Sequence, residues 1–317
     1  MTTIRRVIKM SGVGIHSGKP VNMTIRPMAK KREILFKRVD IPEDEQNLIS
    51  AKYGNVCDTS MRNTTIGKKM GANVKTVEHL MAAFFMAGID SALVEIDNDE
   101  VPIMDGSAIE FYNKISHAGK TNGTLKRIVV RKTIEVDAKS ALKKLPRLKR
   151  WWVLFTSFLV GRKWDGFVRI SPSENIAMNI TATLNYKDKI IGRQTYSYSF
   201  VPGSGAVQNF VDNIARARTF GKYSEWEKLK EMGMARGANE KNVIAVNDKG
   251  DGTLNELYWP DEFVRHKIID IIGDMFLSGG FIIANIESYK GSHALNSLLL
   301  KKLFKNPNNY DIIDVKF

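Results

Sequence analysis

Apolar and polar residues alternate in VNMTIRP and REILFKRVD, a period of two that predicts half-buried strands near the start of the chain. The pattern then changes. TVEHLMAAFFMAGID is apolar almost all round, which predicts a buried helix, with Thr76 placed to cap its start and Gly88 to end it in a left-handed turn. Glu78 and His79 fall in its first turn. The strand pattern SALVEID follows, and Pro102 and the Asp105–Gly106 pair mark turns before another short helix in SAIEFYNKISHAG. Alternation returns from Leu125 in LKRIVVRKTIEVDA, FVRISP and IAMNITATLNY. Near the end, PDEFVRHKIIDIIGDMFLSGG reads as a helix with Asp261 at its N-cap and Gly279 as its stop, followed by a strand FIIANIES and a last helix from Ser292. The final VKF carries no signal. The turn at Asn122 and Gly123 divides this mixed α and β pattern into parts 1–124 and 125–317.

One stretch departs from the alternation. In KSALKKLPRLKRWWVLFTSFLVGRKWDG, near 140–165, basic residues flank an aromatic and apolar block, as in a segment inserted between two strands. Two readings stay open: a surface excursion, and an interfacial segment in peripheral contact with an anionic membrane surface, although Pro146 interrupts any helix. Its apolar run, WWVLFTSFLV, is about half the roughly 20 residues that a membrane-spanning helix needs, so no span is expected.

Composition narrows the classes. With 317 residues, 43% of them apolar, the chain has room for two globular domains. The 48 Lys and Arg outnumber the 34 Asp and Glu, and the net charge of +14 favours anionic partners: nucleic acid, an anionic lipid surface or a phosphorylated small molecule. The single Cys57 excludes an internal disulfide and a cysteine-based zinc finger. With no signal-peptide pattern in MTTIRRVIKMSGVGIH, the expected compartment is the cytoplasm. SGVGIHSGKP lacks the glycine at 13 and the Ser or Thr at 20 that a phosphate-binding Walker loop requires. With no finger spacing or RNA-recognition signature either, no specific nucleic-acid binding is expected. A noncatalytic basic protein for nucleic acid or anionic lipid is the alternative that charge alone supports.

The chemistry concentrates on two helices. His266, Asp270 and Asp274 stand at i, i+4 and i+8 on one stripe of a helix whose other positions include Phe263, Val264, Ile268, Ile269, Ile271, Ile272, Met275 and Phe276. Burying such a helix buries ionisable groups, which cost several kcal/mol each, on the order of 3 to 5, unless cations, hydrogen bonds or a metal meet them. Zinc held by His266 and Asp270 is one solution; an exposed polar stripe on an ordinary amphipathic helix is the other. Glu78 and His79 favour the first, because they open another apolar helix and supply a third ligand and a carboxylate outside the coordination shell for general-base work. The spacing is not that of HExxH. His293, in ESYKGSHALN, is a candidate general acid. A helix N-terminus disfavours imidazolium, so that role needs a carboxylate partner, for which Asp274 is available. The other reading of His293 is a capping or core histidine. His16 and His117 have no such neighbourhood and read as structural.

In order along the chain, SGVGIHSGKPV, KTVEHLMAA, VPIMDGSA, ARARTFG, DEFVRHKIIDIIGD and KGSHALN resemble the motifs of the UDP-3-O-acyl-N-acetylglucosamine deacetylases of bacterial lipid A synthesis. The resemblance implies an α+β fold of two α/β domains whose helices pack between two outer sheets, with the active site at their interface. It implies hydrolysis of the N-acetyl group of an acylated UDP-sugar by one zinc ion on His79, His266 and Asp270, though iron(II) accepts the same ligands. Glu78 would be the base, His293 the acid, and Asp274 its orienting partner. Thr219 of ARARTFG would stabilise the oxyanion, and Lys267 and Lys290 would meet the diphosphate and neighbouring polar groups. The stretch near 220–247 resembles the family's βαβ insertion around an acyl passage, with Phe220, Trp226 and Met234 as lining residues. The segment near 140–165 has no counterpart in that pattern.

Overall fold

Two sheets enclose a layer of helices, and the two helices singled out by sequence meet in the middle of it. The computed structural model describes residues 1–42, 47–68, 70–143, 165–201, 205–231 and 233–316. The first sheet has the strand order Ile8–Val13, Pro20–Pro27, Ala92–Ile96, Ile34–Arg38, Leu48–Ser50. Ala92–Ile96 runs parallel to Ile34–Arg38 and antiparallel to Pro20–Pro27. Along Pro20–Pro27 the alternation turns Val21, Met23 and Ile25 into the core, as the period of two requires. The second sheet has the order Ile134–Asp137, Phe167–Ser171, Phe281–Tyr289, Met178–Asn185, Arg193–Phe200. The first residues of Phe281–Tyr289 also pair with Thr124–Val130, and that strand pairs with Tyr310–Lys316. The chain end therefore closes a sheet edge, a role its sequence does not signal. The arrangement is α+β.

Helix Glu262–Phe276 rests on strands Met178–Asn185, Arg193–Phe200 and Phe281–Tyr289 of the second sheet. On its other side lies helix Glu78–Ala87, which in turn packs on helix Ile109–Ala118 and so toward the first sheet. One hydrophobic cluster runs through both halves. Phe85 joins them directly, its ring 5.0 Å from Phe200, 5.6 Å from Phe276 and 4.6 Å from Phe281 between centroids. A smaller cluster of Trp226, Ala235, Ala238, Val243 and Ala245 sits inside the βαβ unit made by parallel strands Phe220–Lys222 and Ile244–Val246 and helix Tyr223–Glu231.

The helix starts differ from expectation in two respects. Gly88 takes the left-handed conformation, with φ of 71°, but Thr76 does not cap. Its own φ is 57°, and its hydroxyl accepts from Asn63 Nδ2 and donates to Glu100, so the capping position falls to Val77 without a side-chain bond. Asp261 holds the N-cap position of its helix, yet its carboxylate accepts from Arg265 Nε rather than from a free backbone N–H. Ser292 does cap the last helix, accepting from the Leu295 N–H. The basic and aromatic block at 144–164 lies outside the described residues; before it Ala138–Lys143 is helical. Among the described residues no helix is long and apolar enough to cross a membrane.

The close crossing of the two central helices rests on one residue. A Cβ on Gly273 would stand 1.9 Å from the carbonyl oxygen of Glu78 and 2.7 Å from its carbonyl carbon. Because the obstacle is backbone, no rotamer change relieves it. Glycine here is thus what lets Asp270 and Asp274, on either side of it, approach Glu78 and His79. Gly273→Ala is expected to lower unfolding free energy by about 1–3 kcal/mol despite the roughly 1 kcal/mol that alanine gains in helix propensity. Urea unfolding measures this, and a variant as stable as the parent would show that the helices do not cross so closely.

Candidate metal centre

His79 from one helix and His266 and Asp270 from the other bring three potential ligand atoms within 4.8 Å of one another, all three residues buried. His266 Nε2 is 3.3 Å and His79 Nε2 3.7 Å from Asp270 Oδ1. The imidazoles stand edge to face at 86°, their centroids 4.9 Å apart. Among the described residues no other group of His, Cys, Asp and Glu meets this spacing.

The orientation of His266 is set from outside. Its Nδ1 lies 3.0 Å from the carbonyl oxygen of Ala217, which can only accept, so the proton sits on Nδ1 and the lone pair of Nε2 faces the other ligands. Ala217 is fixed by its neighbour. Arg218 is buried against Glu262, with Nε 2.9 Å and the backbone N–H 3.0 Å from Oε1, while Oε2 accepts from the Tyr258 N–H. Glu262 opens the helix that carries His266 one turn later, so a single ion pair ties the supporting carbonyl to the ligand it supports.

Charge at the site follows from burial. Burial pushes His266 down to about 3, outweighing the Asp270 carboxylate, and leaves the neutral imidazole that binds metal. Burial opposes ionisation of Asp270, but Lys267, with Nζ 2.7 Å from Oδ2, together with His266 and His293, holds it well below the usual carboxylate range. A buried carboxylate beside imidazole nitrogens, oriented by outer partners, fits a divalent ion such as zinc or iron(II). Glu78 lies alongside, raised above its ordinary value by burial. His293 Nδ1 is 2.7 Å from Asp274 Oδ2, and its Nε2 faces Glu78 Oε1 at 3.9 Å and Asp270 Oδ2 at 3.8 Å. Burial would strip the proton from His293, but Asp274, Asp270 and Glu78 outweigh it and raise the group to about 10. The pocket thus holds a carboxylate able to take a proton opposite an imidazolium able to give one.

Residues 1–305 match the family model described as UDP-3-O-acyl N-acetylglycosamine deacetylase. The chain belongs to this deacetylase family. It is 36% identical over 314 residues to the UDP-3-O-acyl-N-acetylglucosamine deacetylase of a Nitratiruptor species, covering 98% of this chain and 93% of that one. The deacetylase of Nautilia profundicola is 38% identical over 306 residues, 95% and 90% of the two chains. That of Myxococcus xanthus is 36% identical over 316 residues, 99% and 89%.

Within this deacetylase fold the residues read from sequence fall into two sets. His79, His266, Asp270, Glu78, Asp274, His293 and Lys267 converge, and Phe220 borders them, its ring 6.4 Å from that of His266 and 5.6 Å from Lys267 Nζ. Thr219 adjoins Phe220, its backbone held by Gly106 and Ile244. The other three have partners of their own. The Lys290 ammonium is paired with Asp165, and Trp226 is buried in the small cluster of the βαβ unit. Met234 lines a cavity of about 320 Å³ with His16, Cys57 and Met61, none of them in the metal group. Sequence reading missed Thr64 and Asn296, which contact Asp274, and the Ala217, Arg218 and Glu262 support of His266. Thr64, Ala217 and Arg218 lie in loops without a period, whereas Glu262, one turn before His266, extends the stripe of His266, Asp270 and Asp274, and Asn296 lies one turn after His293.

Two outcomes follow. Glu262→Ala leaves Arg218 buried without its partner and is expected to lower stability by about 3–5 kcal/mol, read by chemical unfolding; a loss under about 1 kcal/mol would deny the pair its supporting role. For His293, a folded value raised above the unfolded one means stability that is fully present below about pH 6.5 and is lost as pH rises through about 10. In metal-free protein the melting-temperature advantage of wild type over His293→Gln should therefore shrink across that window. An advantage that grew with pH would contradict the assignment.

Proposed function

We propose that this chain hydrolyses the N-acetyl group of UDP-3-O-acyl-N-acetylglucosamine to UDP-3-O-acyl-glucosamine and acetate, as a step of lipid A synthesis in the cytoplasm, with one divalent ion, zinc by preference, on His79, His266 and Asp270. The observation that carries this reading is the convergence of those three residues with Glu78 and His293 flanking them. A bound divalent ion supplies Lewis-acid polarisation of the acetyl carbonyl and of a water. Glu78 takes the proton of that water as its oxygen attacks the acetyl carbon. His293 gives its Nε2 proton to the sugar nitrogen as the C–N bond breaks, and Asp274 holds the ring in place through Nδ1.

Lys267 holds Asp270 ionised and, with the Thr219 hydroxyl, supplies donors where negative charge develops on the carbonyl oxygen. Phe220, bordering the site, is the entry to the acyl passage, with Trp226 and Met234 further along it, and Lys290 meets the diphosphate. The basic excess of the chain suits that anionic substrate. Peripheral contact with an anionic membrane surface rests on the composition of the segment near 140–165 alone.

Metal-loaded protein is expected to release acetate from the UDP-sugar, to lose this activity to a chelator and to regain it with zinc. Glu78→Gln should keep one ion per chain but lose about a hundred- to ten-thousand-fold in kcat. Undiminished turnover by the chelated protein, or by Glu78→Gln, would overturn the reading.

A further inference from the structure

One residue outside both central helices touches each of the three proton-handling groups. The backbone N–H of Thr64 donates to Glu78 Oε2 at 3.0 Å, and its hydroxyl donates to Asp274 Oδ1 at 2.6 Å and lies 3.2 Å from His293 Nδ1. We propose that Thr64 is a positioning residue that fixes Glu78 relative to the Asp274–His293 pair.

The proton count determines each role. A hydroxyl has one proton, and the 2.6 Å contact assigns it to Asp274 Oδ1. The Nδ1 proton of His293 then goes to Oδ2 at 2.7 Å, with the Thr64 oxygen as a secondary acceptor. Asn296 Nδ2, one turn along the same helix from His293, adds a second donor to Oδ2 at 2.8 Å. The carboxylate thus meets three donors, two from helix His293–Leu303 and one from Thr64. Without Thr64 both remaining bonds fall on Oδ2, and the carboxylate can rotate about it, carrying the His293 ring.

Thr64 is itself held at the start of the helix that carries Glu78. Its carbonyl accepts from the Val77 N–H at 3.3 Å. The preceding Asn63 donates to Thr76 Oγ1 at 2.9 Å, and Thr76 donates to the buried Glu100. Only 1% of Thr64 is exposed, so water does not replace its bonds. The chain around Thr64 therefore links the beginning of one central helix to Asp274 on the other, and the bonds of Thr64 go to Glu78, Asp274, His293 and Val77.

This inference rests on the deacetylase reading, and Thr64→Val tests it. Valine keeps the shape and the backbone N–H to Glu78 but removes the donor to Asp274. The expected result is a fall in kcat of about ten-fold or more, with KM within about two-fold and one bound ion per chain, as in wild type. Thr64→Ser, which keeps the hydroxyl, should recover to within about three-fold of wild type. If valine does not fold at this position, Thr64→Ala against Thr64→Ser gives the same comparison. Inactive wild type would fail the deacetylase reading. Active wild type with Thr64→Val equally active, or with the serine variant as impaired as the valine one, would overturn the role of Thr64.

Discussion

The whole site depends on two helices approaching until the backbone of one touches the backbone of the other. Gly273 has the Glu78 carbonyl where a side chain would begin, and this contact sets the spacing of everything around it. His79 follows Glu78 on one helix, and Asp270 and Asp274 flank Gly273 on the other. Each helix is otherwise apolar and buried, from Leu80 to Met86 and from Ile268 to Phe276. The hydrophobic effect drives the helices together, glycine allows the last few ångströms, and the polar residues are buried with them. A metal ion is the economical way to meet two imidazoles and a carboxylate placed there.

The polar groups are held by an outer layer as specific as the inner one. On one side Glu262 and Arg218 fix the Ala217 carbonyl that orients His266. On the other, Thr64 and Asn296 fix the carboxylate that orients His293. Arg218 and Thr64 come from loops, Glu262 from the first residue of one central helix and Asn296 from the last helix, so His266 and His293 have separate supports. Burial acts differently on the two sides. It keeps His266 neutral, where a lone pair is needed, while three carboxylates keep His293 protonated in spite of it.

Much of the inner layer was legible in the sequence because it lies on periodic elements. His266, Asp270 and Asp274 form a stripe on a helix that is apolar elsewhere, and Glu78 and His79 open another. The strands of both sheets that alternate cleanly, such as Pro20–Pro27 and Met178–Asn185, were equally readable. The outer layer was less so: Glu262 and Asn296 share helix faces with His266 and His293, but the loop residues carry no period. Thr64 sits in a polar stretch without period, and its partner Asp274 is 210 residues away, a pairing that only the tertiary fold creates. Thr76 has the residue type of a cap but turns its hydroxyl to Asn63 and Glu100. Strand Tyr310–Lys316 is recognisable only through its partner Thr124–Val130. The six motifs of family resemblance carried the substrate class, which neither charge nor periodicity contains.

The central claim is that the crossing of two buried helices builds a three-ligand metal site. X-ray diffraction from crystals of zinc-loaded protein, with anomalous data at the zinc edge, tests it most directly. The account predicts one strong peak, about 2.0–2.2 Å from His79 Nε2, His266 Nε2 and an Asp270 oxygen. A zinc peak away from these three residues, or coordinated without His79, would contradict it.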